Sequence, residues 1–157
     1  MPLRSRLEST IASDIRALSA VSEEIGRVFG SQHGLRPNDF RALILTMVAD
    51  VEGKPLTAGE LGTRLGLSSA AMTYLVERMI ESGHIRREKD AHDRRKVILR
   101  YAEHGMDVAR NFFGPLGART NSALEGLPDS DLAAAHRVFS VMIDAMRAHV
   151  EELRSQT

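Results

Sequence analysis

The sequence predicts a mainly α protein carrying one small β-wing. Three observations lead there. Apolar residues recur at helical spacing along most of the 157 residues. Two short helical patterns meet at a glycine, Gly66, between Thr57 and Glu81. A hairpin pattern rich in Arg and Lys follows at once, between His84 and Tyr101.

Taken in order, Leu7, Ile11, Ile15, Leu18, Ile25 and Phe29 form the apolar stripe of a first helix, and Gly30, Gly34 and Pro37 break the pattern. Pro37-Asn38-Asp39 opens a second helix with Phe40, Leu43, Ile44, Met47 and Val48 on its apolar side. VEGKPL is a loop. Thr57 with Glu60 three residues later has the form of a capping box, predicting a helix to about Leu65. Gly66 supplies the turn, and Ser68 caps a further helix with Met72, Leu75, Val76 and Met79 on one face, ended by Ser82-Gly83. HIRREK (84–89) and VILRY (97–101) pair as strands around the polar tip DAHDRRK.

From about Ala102 the chain returns to helix, with Val108, Ala109, Phe112 and Phe113 on the apolar side. Gly114-Pro115 is expected to kink this helix rather than end it, since Leu116, Ala123 and Leu124 continue its face. The last helix, from about Pro128, carries Leu132, His136, Phe139, Ile143, Met146, Val150 and Leu153 at alternating steps of four and three, a heptad seam.

The two central helices bury a shared face, with Gly62 and Gly66 allowing close crossing. At about 100° per residue Ala70, Tyr74 and Glu77 point away from Met72, and Thr73 flanks them. A hairpin with Arg86, Arg87, Lys89, Arg94, Arg95, Lys96 and Arg100 beside such a face describes a winged helix-turn-helix, an arrangement suited to duplex DNA. The outward face would enter the major groove, with Thr73 and Tyr74 as base-edge or phosphate contacts and Ala70 and Ala71 against thymine methyls. Thr57, Ser68 and Ser69 sit at helix N-termini, where hydroxyls and free N–H groups suit phosphates. Arg94, Arg95 and Lys96 at the tip, and Arg86 below it, complete the expected DNA-binding set; an arginine at the tip would reach the minor groove. Asp93, two residues before Arg95, is placed to orient it.

Charge distribution agrees. Formal net charge is zero, yet Lys54 to Arg100 holds ten Lys/Arg against six Asp/Glu, while the remainder holds eleven against fifteen. The chain has no cysteine, which excludes disulfides, cysteine zinc sites and thiol redox sensing. No apolar run approaches the roughly 20 residues that span a bilayer, and MPLRSRLEST lacks a signal-peptide core, so a cytoplasmic protein without a membrane partner is expected.

TAGELGTRLGLS, a following helix ending ERMIESG, and the wing DRRKVIL together resemble the MarR family of bacterial transcription regulators, and the resemblance covers nearly the whole chain. Asp93, Arg94 and Arg95 match the start of the family's wing signature, and Glu103-His104-Gly105 its end. Tyr101 and Ala102 stand where Leu-Thr is usual, and Gly62 where alanine is. The resemblance implies a single unit over 1–157. Its winged helix-turn-helix region (37–102) is inserted between N- and C-terminal helices (1–36 and 103–157) that form a homodimer. Leu7, Ile11, Leu132, Phe139, Ile143, Met146 and Val150 would furnish the dimer face, a role the heptad seam supports independently. The resemblance further implies a repressor on an inverted-repeat operator, relieved by a small aromatic effector.

Other residues invite duller readings. His33, His84, His92, His104, His136 and His149 form no close i, i+4 pair, so no metal site is expected. The methionines on apolar faces (Met47, Met72, Met79, Met142, Met146) read as core filler. His92-Asp93 lies at a solvated hairpin tip, a poor setting for acid–base chemistry. No catalytic set or cofactor is expected. The competing reading is a winged-helix module for protein–protein assembly without specific DNA binding.

Overall fold

The computed structural model describes residues 2–156. Its elements are α1 (Leu3–His33), α2 (Pro37–Val51), α3 (Ala58–Leu65), α4 (Ser69–Glu81), β1 (Ile85–Lys89), β2 (Val97–Tyr101), α5 (Glu103–Leu124) and α6 (Asp129–Ser155). The mainly helical class with one hairpin is as expected. The chain forms two compact units, meeting after Phe112 within α5.

The first unit is built on α2, α3, α4 and the hairpin. Leu61, Met79, Val76, Leu99, Leu43 and Ile98 form its buried core. Sequence logic is visible at each junction. Thr57 and Glu60 exchange both capping bonds, Thr57 N–H to Glu60 Oε2 at 2.8 Å and Glu60 N–H to Thr57 Oγ1 at 3.2 Å. Gly66 ends α3 at φ 69°, a left-handed conformation that L side chains rarely adopt. A Cβ on Gly62 would lie 3.3 Å from Met72 Cγ, a tight contact between α3 and α4. All four residues expected on the inner face of α4 are buried.

β1 and β2 pair antiparallel with Ile85 opposite Tyr101 and Lys89 opposite Val97. The chain before α3 joins them: Thr57 bridges Ile98, and the Leu99 N–H donates to the Leu56 carbonyl at 2.8 Å. The wing is thereby attached directly to the start of the helix-turn-helix.

Three expectations need correction. Gly30 does not break α1; it lies inside the helix, and Gly34 ends it at φ 65°. Glycine at 30 serves close packing instead, since an added Cβ would sit 3.1 Å from the Leu35 carbonyl oxygen. Met47 is 43% exposed, because the buried side of α2 runs through Asp39, Ala42, Leu43, Thr46 and Ala49. The apolar stripe gave the helix but was rotated, since a buried Asp and Thr do not register as hydrophobic. His84 also precedes β1 rather than starting it.

Only Gly26, Phe29 and Gly30 of the 31 residues of α1 are buried. Leu3, Leu7, Leu18 and Val21 are exposed along it. α5 continues through Pro115, as its recurring apolar positions predict.

In the second unit α6 has no buried residue over 27 residues. Its seam side chains Leu132, Phe139, Ile143, Met146, Val150 and Leu153 are between 36% and 61% exposed.

Candidate nucleic-acid interface

The outward face of α4 is set by what its inward face buries. With Met72, Leu75, Val76 and Met79 in the core, Ala70, Ala71, Thr73, Tyr74 and Glu77 are exposed. Ser68 caps the helix through its Oγ, which accepts the Ala71 N–H at 3.3 Å, and Ser69 is exposed in the first turn. The Thr73 hydroxyl donates to the Ser69 carbonyl at 2.9 Å, so what it can still offer a partner is its acceptor capacity. The Thr57 hydroxyl has less to offer a phosphate. It donates to Glu60 Oε2 at 3.0 Å while accepting the Glu60 N–H. Those bonds hold the Glu60 carboxyl below its ordinary range, the Thr57 N–H contributing most.

Tyr74 stands at the centre of an arrangement that the sequence did not reveal. Asp39, 2% exposed, accepts the Arg36 N–H at 2.9 Å and so caps α2. The same carboxylate is ion-paired with the Arg78 guanidinium of α4. Arg78 lies 5.0 Å from the Tyr74 ring centroid, and Arg36 lies 5.9 Å from it. One buried carboxylate thus holds the Arg78 guanidinium and the main chain of Arg36, the two residues whose guanidiniums flank an exposed aromatic side chain. An acidic residue in the first turn of α2 was legible; its partner 39 residues onward was not.

Six of the wing's seven cations fall into two groups. Arg87 pairs with Glu77 of α4 at 2.6 Å, Arg100 with Asp50 of α2 at 2.6 Å, and Arg86 with Glu88 at 2.7 Å. These pairs brace the stem. Arg86, expected to meet DNA, lies at the stem opposite Arg100. Glu77, expected to face the groove, reaches the wing instead.

At the tip, Arg94, Arg95 and Lys96 are exposed in succession. Asp93 Oδ1 accepts both the Arg95 N–H at 3.1 Å and its Nε–H at 3.2 Å. Asp90 is the tip residue that sequence reasoning missed. Its Oδ1 accepts the N–H groups of Asp93 at 2.7 Å and His92 at 2.8 Å, and these bonds hold its carboxyl below the usual range. The signal was an aspartate followed two and three residues later by free amides, the pattern of an Asx turn.

Tyr101 and Ala102 find their reasons at the base of the wing. The Tyr101 hydroxyl donates to the Leu43 carbonyl at 2.9 Å in a half-buried setting, and desolvation pushes its phenol well above the ordinary value. Ala102 N–H donates to the His84 carbonyl at 3.0 Å, and the Ala102 carbonyl accepts from Met106 at the start of α5. The turn of the helix starts without a threonine cap.

His84 is buried beside these groups. Its Nδ1 is 2.8 Å from Ser82 Oγ, and its Nε2 has no hydrogen-bond partner among the described residues. Burial, then the charges of His104 and His33, lowers its pKa below the ordinary 6.5, against a small opposing effect of Asp39. Between that lowered value and 6.5 the unfolded chain binds the extra proton, so stability is lost as pH falls below 6.5. Thermal melts between pH 5 and 7.5 are expected to fall on the acid side, and His84→Gln to flatten that fall. An equal acid loss in the variant would assign it to other groups.

Among the described residues no group of three or more His, Asp or Glu side chains is placed to hold a metal ion. None of the described helices is long and apolar enough to cross a membrane.

Comparison with known proteins agrees with this architecture. A MarR family model matches residues 33–96, from the end of α1 to the wing tip. The chain is 30% identical over 153 residues to the HTH-type transcriptional regulator YcgE of Bacillus subtilis, covering 96% of each. A MarR family protein from Bacillus stearothermophilus shares the fold at a TM-score of 0.61 and 23% identity, over 92% of this chain and 99% of that one. S. aureus MepR, in a complex with DNA, shares it at 0.52 and 14% identity, over 83% of this chain and 96% of that one. The match along nearly the full length settles the assignment: this chain belongs to the MarR family of transcriptional regulators.

Proposed function

We propose that this regulator binds duplex DNA in a sequence-specific manner, as a homodimeric repressor on an inverted-repeat operator, and that a small organic effector relieves the binding. The observation that carries the reading is the open face of α4, with Ser68, Ser69, Ala70, Thr73 and Tyr74, together with three adjacent cations at an oriented wing tip. Such a pair of features suits a major groove and the phosphates or minor groove beside it. The DNA complex of S. aureus MepR, a protein of the same fold, supports the same use.

The division into a DNA-binding region (37–102) and dimerisation helices (1–36 and 103–157) is part of this reading. Two separate faces support it. The first half of α1 carries exposed Leu7 and half-buried Ile11, and α6 carries an exposed seam from Leu132 to Val150. Long helices with apolar stripes and few buried residues gain stability from a second copy. Two-fold symmetry would set the recognition helices about 34–36 Å apart, in successive major grooves.

Selection of binding sites from random duplexes, with affinity followed against salt, tests the whole proposal. An inverted repeat and a steep loss of affinity with salt are expected. Absence of enrichment, with weak binding, would overturn it in favour of a protein partner. On the selected duplex, Arg95→Ala is expected to weaken binding about tenfold. The fold should be unaffected, because this side chain is 92% exposed. Unchanged affinity in a fluorescence anisotropy titration would remove Arg95 from the interface.

A further inference from the structure

The outward face of α4 has two flanks, and each has a different neighbour. At about 100° per residue, Glu77 lies roughly 60° to one side of Tyr74 and Arg78 roughly 40° to the other. Glu77 reaches Arg87 of the wing at 2.6 Å, so the first flank adjoins the wing. Arg78 is ion-paired with Asp39 in the first turn of α2, so the second flank adjoins the start of that helix. A helix about 10–12 Å across fills a major groove about 12 Å wide, and each flank then faces one of the two phosphate backbones that wall the groove.

The wing brings cations of its own, with Arg94, Arg95 and Lys96 exposed at its tip. The α2 flank is less well supplied. Arg78 is the one cation in α4, and a carboxylate 2% exposed already meets its charge. A guanidinium paired in this way presents little net charge to a phosphate. Arg36 supplies the missing charge. It is exposed, it has no ion-pair partner among the described residues, and its guanidinium carbon stands 5.9 Å from the Tyr74 ring centroid. An aromatic face at that range attracts a cation and leaves its N–H donors free.

Two constraints fix the main chain that carries it. A residue before proline is confined to extended backbone, and Arg36, before Pro37, has φ −77° and ψ 159°. Its N–H donates to Asp39 at 2.9 Å. The carboxylate that neutralises Arg78 thus also anchors the residue that takes over its charge.

We infer that Arg36 is a further DNA contact of this protein: its guanidinium, steadied by Tyr74, meets a phosphate on the major-groove wall across from the wing. The inference rests on the DNA-binding reading above and extends the contact surface from the helix-turn-helix and wing to the N-cap of α2. A phosphate contact carries no base information, so Arg36 adds affinity and orientation to every sequence alike.

The test uses the full chain and the selected duplex, with affinity followed against salt. Arg36→Gln is expected to weaken binding about tenfold and to reduce the slope of log affinity against log salt by about one. The ranking of single-base variants of the duplex should not change. Arg36→Lys keeps the charge and is expected to restore the slope. Both variants should fold, because the side chain is exposed and the Asp39 bond uses the main chain. Duplexes carrying a neutral methylphosphonate at one phosphate at a time locate the contact. One such replacement is expected to cost the parent about tenfold and Arg36→Gln almost nothing, the signature of a coupled pair. It should differ from any replacement that falls silent in Arg95→Ala.

An unchanged salt slope in Arg36→Gln overturns the inference, as does an equal loss in parent and variant at every phosphate. A changed base ranking in Arg36→Gln overturns it too, since Arg36 would then act on a base. If the parent selects no duplex, the DNA-binding reading falls and this inference with it. A parent that selects one, beside a variant of unchanged slope, leaves that reading standing and removes Arg36 alone.

Discussion

Asp39→Ala is expected to lower the unfolding free energy by about 3–5 kcal/mol, the usual consequence of removing one partner of a buried ion pair. Two attachments end with that side chain. The α2 N-terminus loses the acceptor of the Arg36 N–H, a cap whose removal alone typically costs about 0.5–2 kcal/mol. The Arg78 guanidinium loses its counter-charge while only 26% exposed. That same guanidinium is the one nearer Tyr74, so the ring's neighbour is no longer held in place. Because Arg78 retains some access to water, the lower end of the range is expected. Urea denaturation of both proteins gives the difference; a loss below about 1 kcal/mol would be that of an ordinary substitution and would deny Asp39 its central place. Asp39→Asn, which keeps an acceptor for the cap, should lie between the two.

Gly105→Ala is expected to cost about 3 kcal/mol, the upper part of the range for overpacking. A Cβ there would lie 2.3 Å from the His84 carbonyl oxygen and 2.8 and 2.9 Å from its Cα and carbonyl carbon. All three are main-chain atoms with little freedom. That carbonyl accepts the Ala102 N–H, the His84 N–H donates to Met79, and the Gly105 N–H donates to Gly83. Gly26 offers a control. A Cβ at that position would come within 2.2 Å of Phe40, but it would meet the end of a ring that can turn. Gly26→Ala should therefore be the milder variant in thermal unfolding. The reverse order would mean that the α5 start yields more readily than the Phe40 ring.

What the sequence could convey followed from the range of the interaction. Thr57 with Glu60, Gly66, Ser68 and the inner face of α4 were legible because each is decided within a few residues of itself. Asp93 with Arg95 was legible for the same reason. Asp39 with Arg78, Arg100 with Asp50 and Tyr101 with Leu43 were not, because each joins elements far apart in the chain. Those same pairs changed the reading of the candidate interface. Charge counting along the hairpin treats every arginine as available, whereas Arg86, Arg87 and Arg100 are already engaged with carboxylates. The rotation of α2's buried side has a similar origin, since Asp39 is buried for its bonds and not for its hydropathy.

The join between Leu56–Thr57 and β2 bears on how such proteins can be recombined. Recognition helices and wings are tempting as interchangeable parts, to be cut at the turn after α4. Here the stem of the wing is hydrogen-bonded to residues that precede α3 and ion-paired to α4 and α2. A chimera cut at residue 84 would bring a foreign wing to edge atoms and carboxylates it did not evolve beside. Transplanting residues 56–101 as one block keeps the bond to Leu56 and the Arg87–Glu77 pair but parts Arg100 from Asp50, Arg78 from Asp39 and Tyr101 from the Leu43 carbonyl, so the smallest portion that carries its own attachments begins with α2.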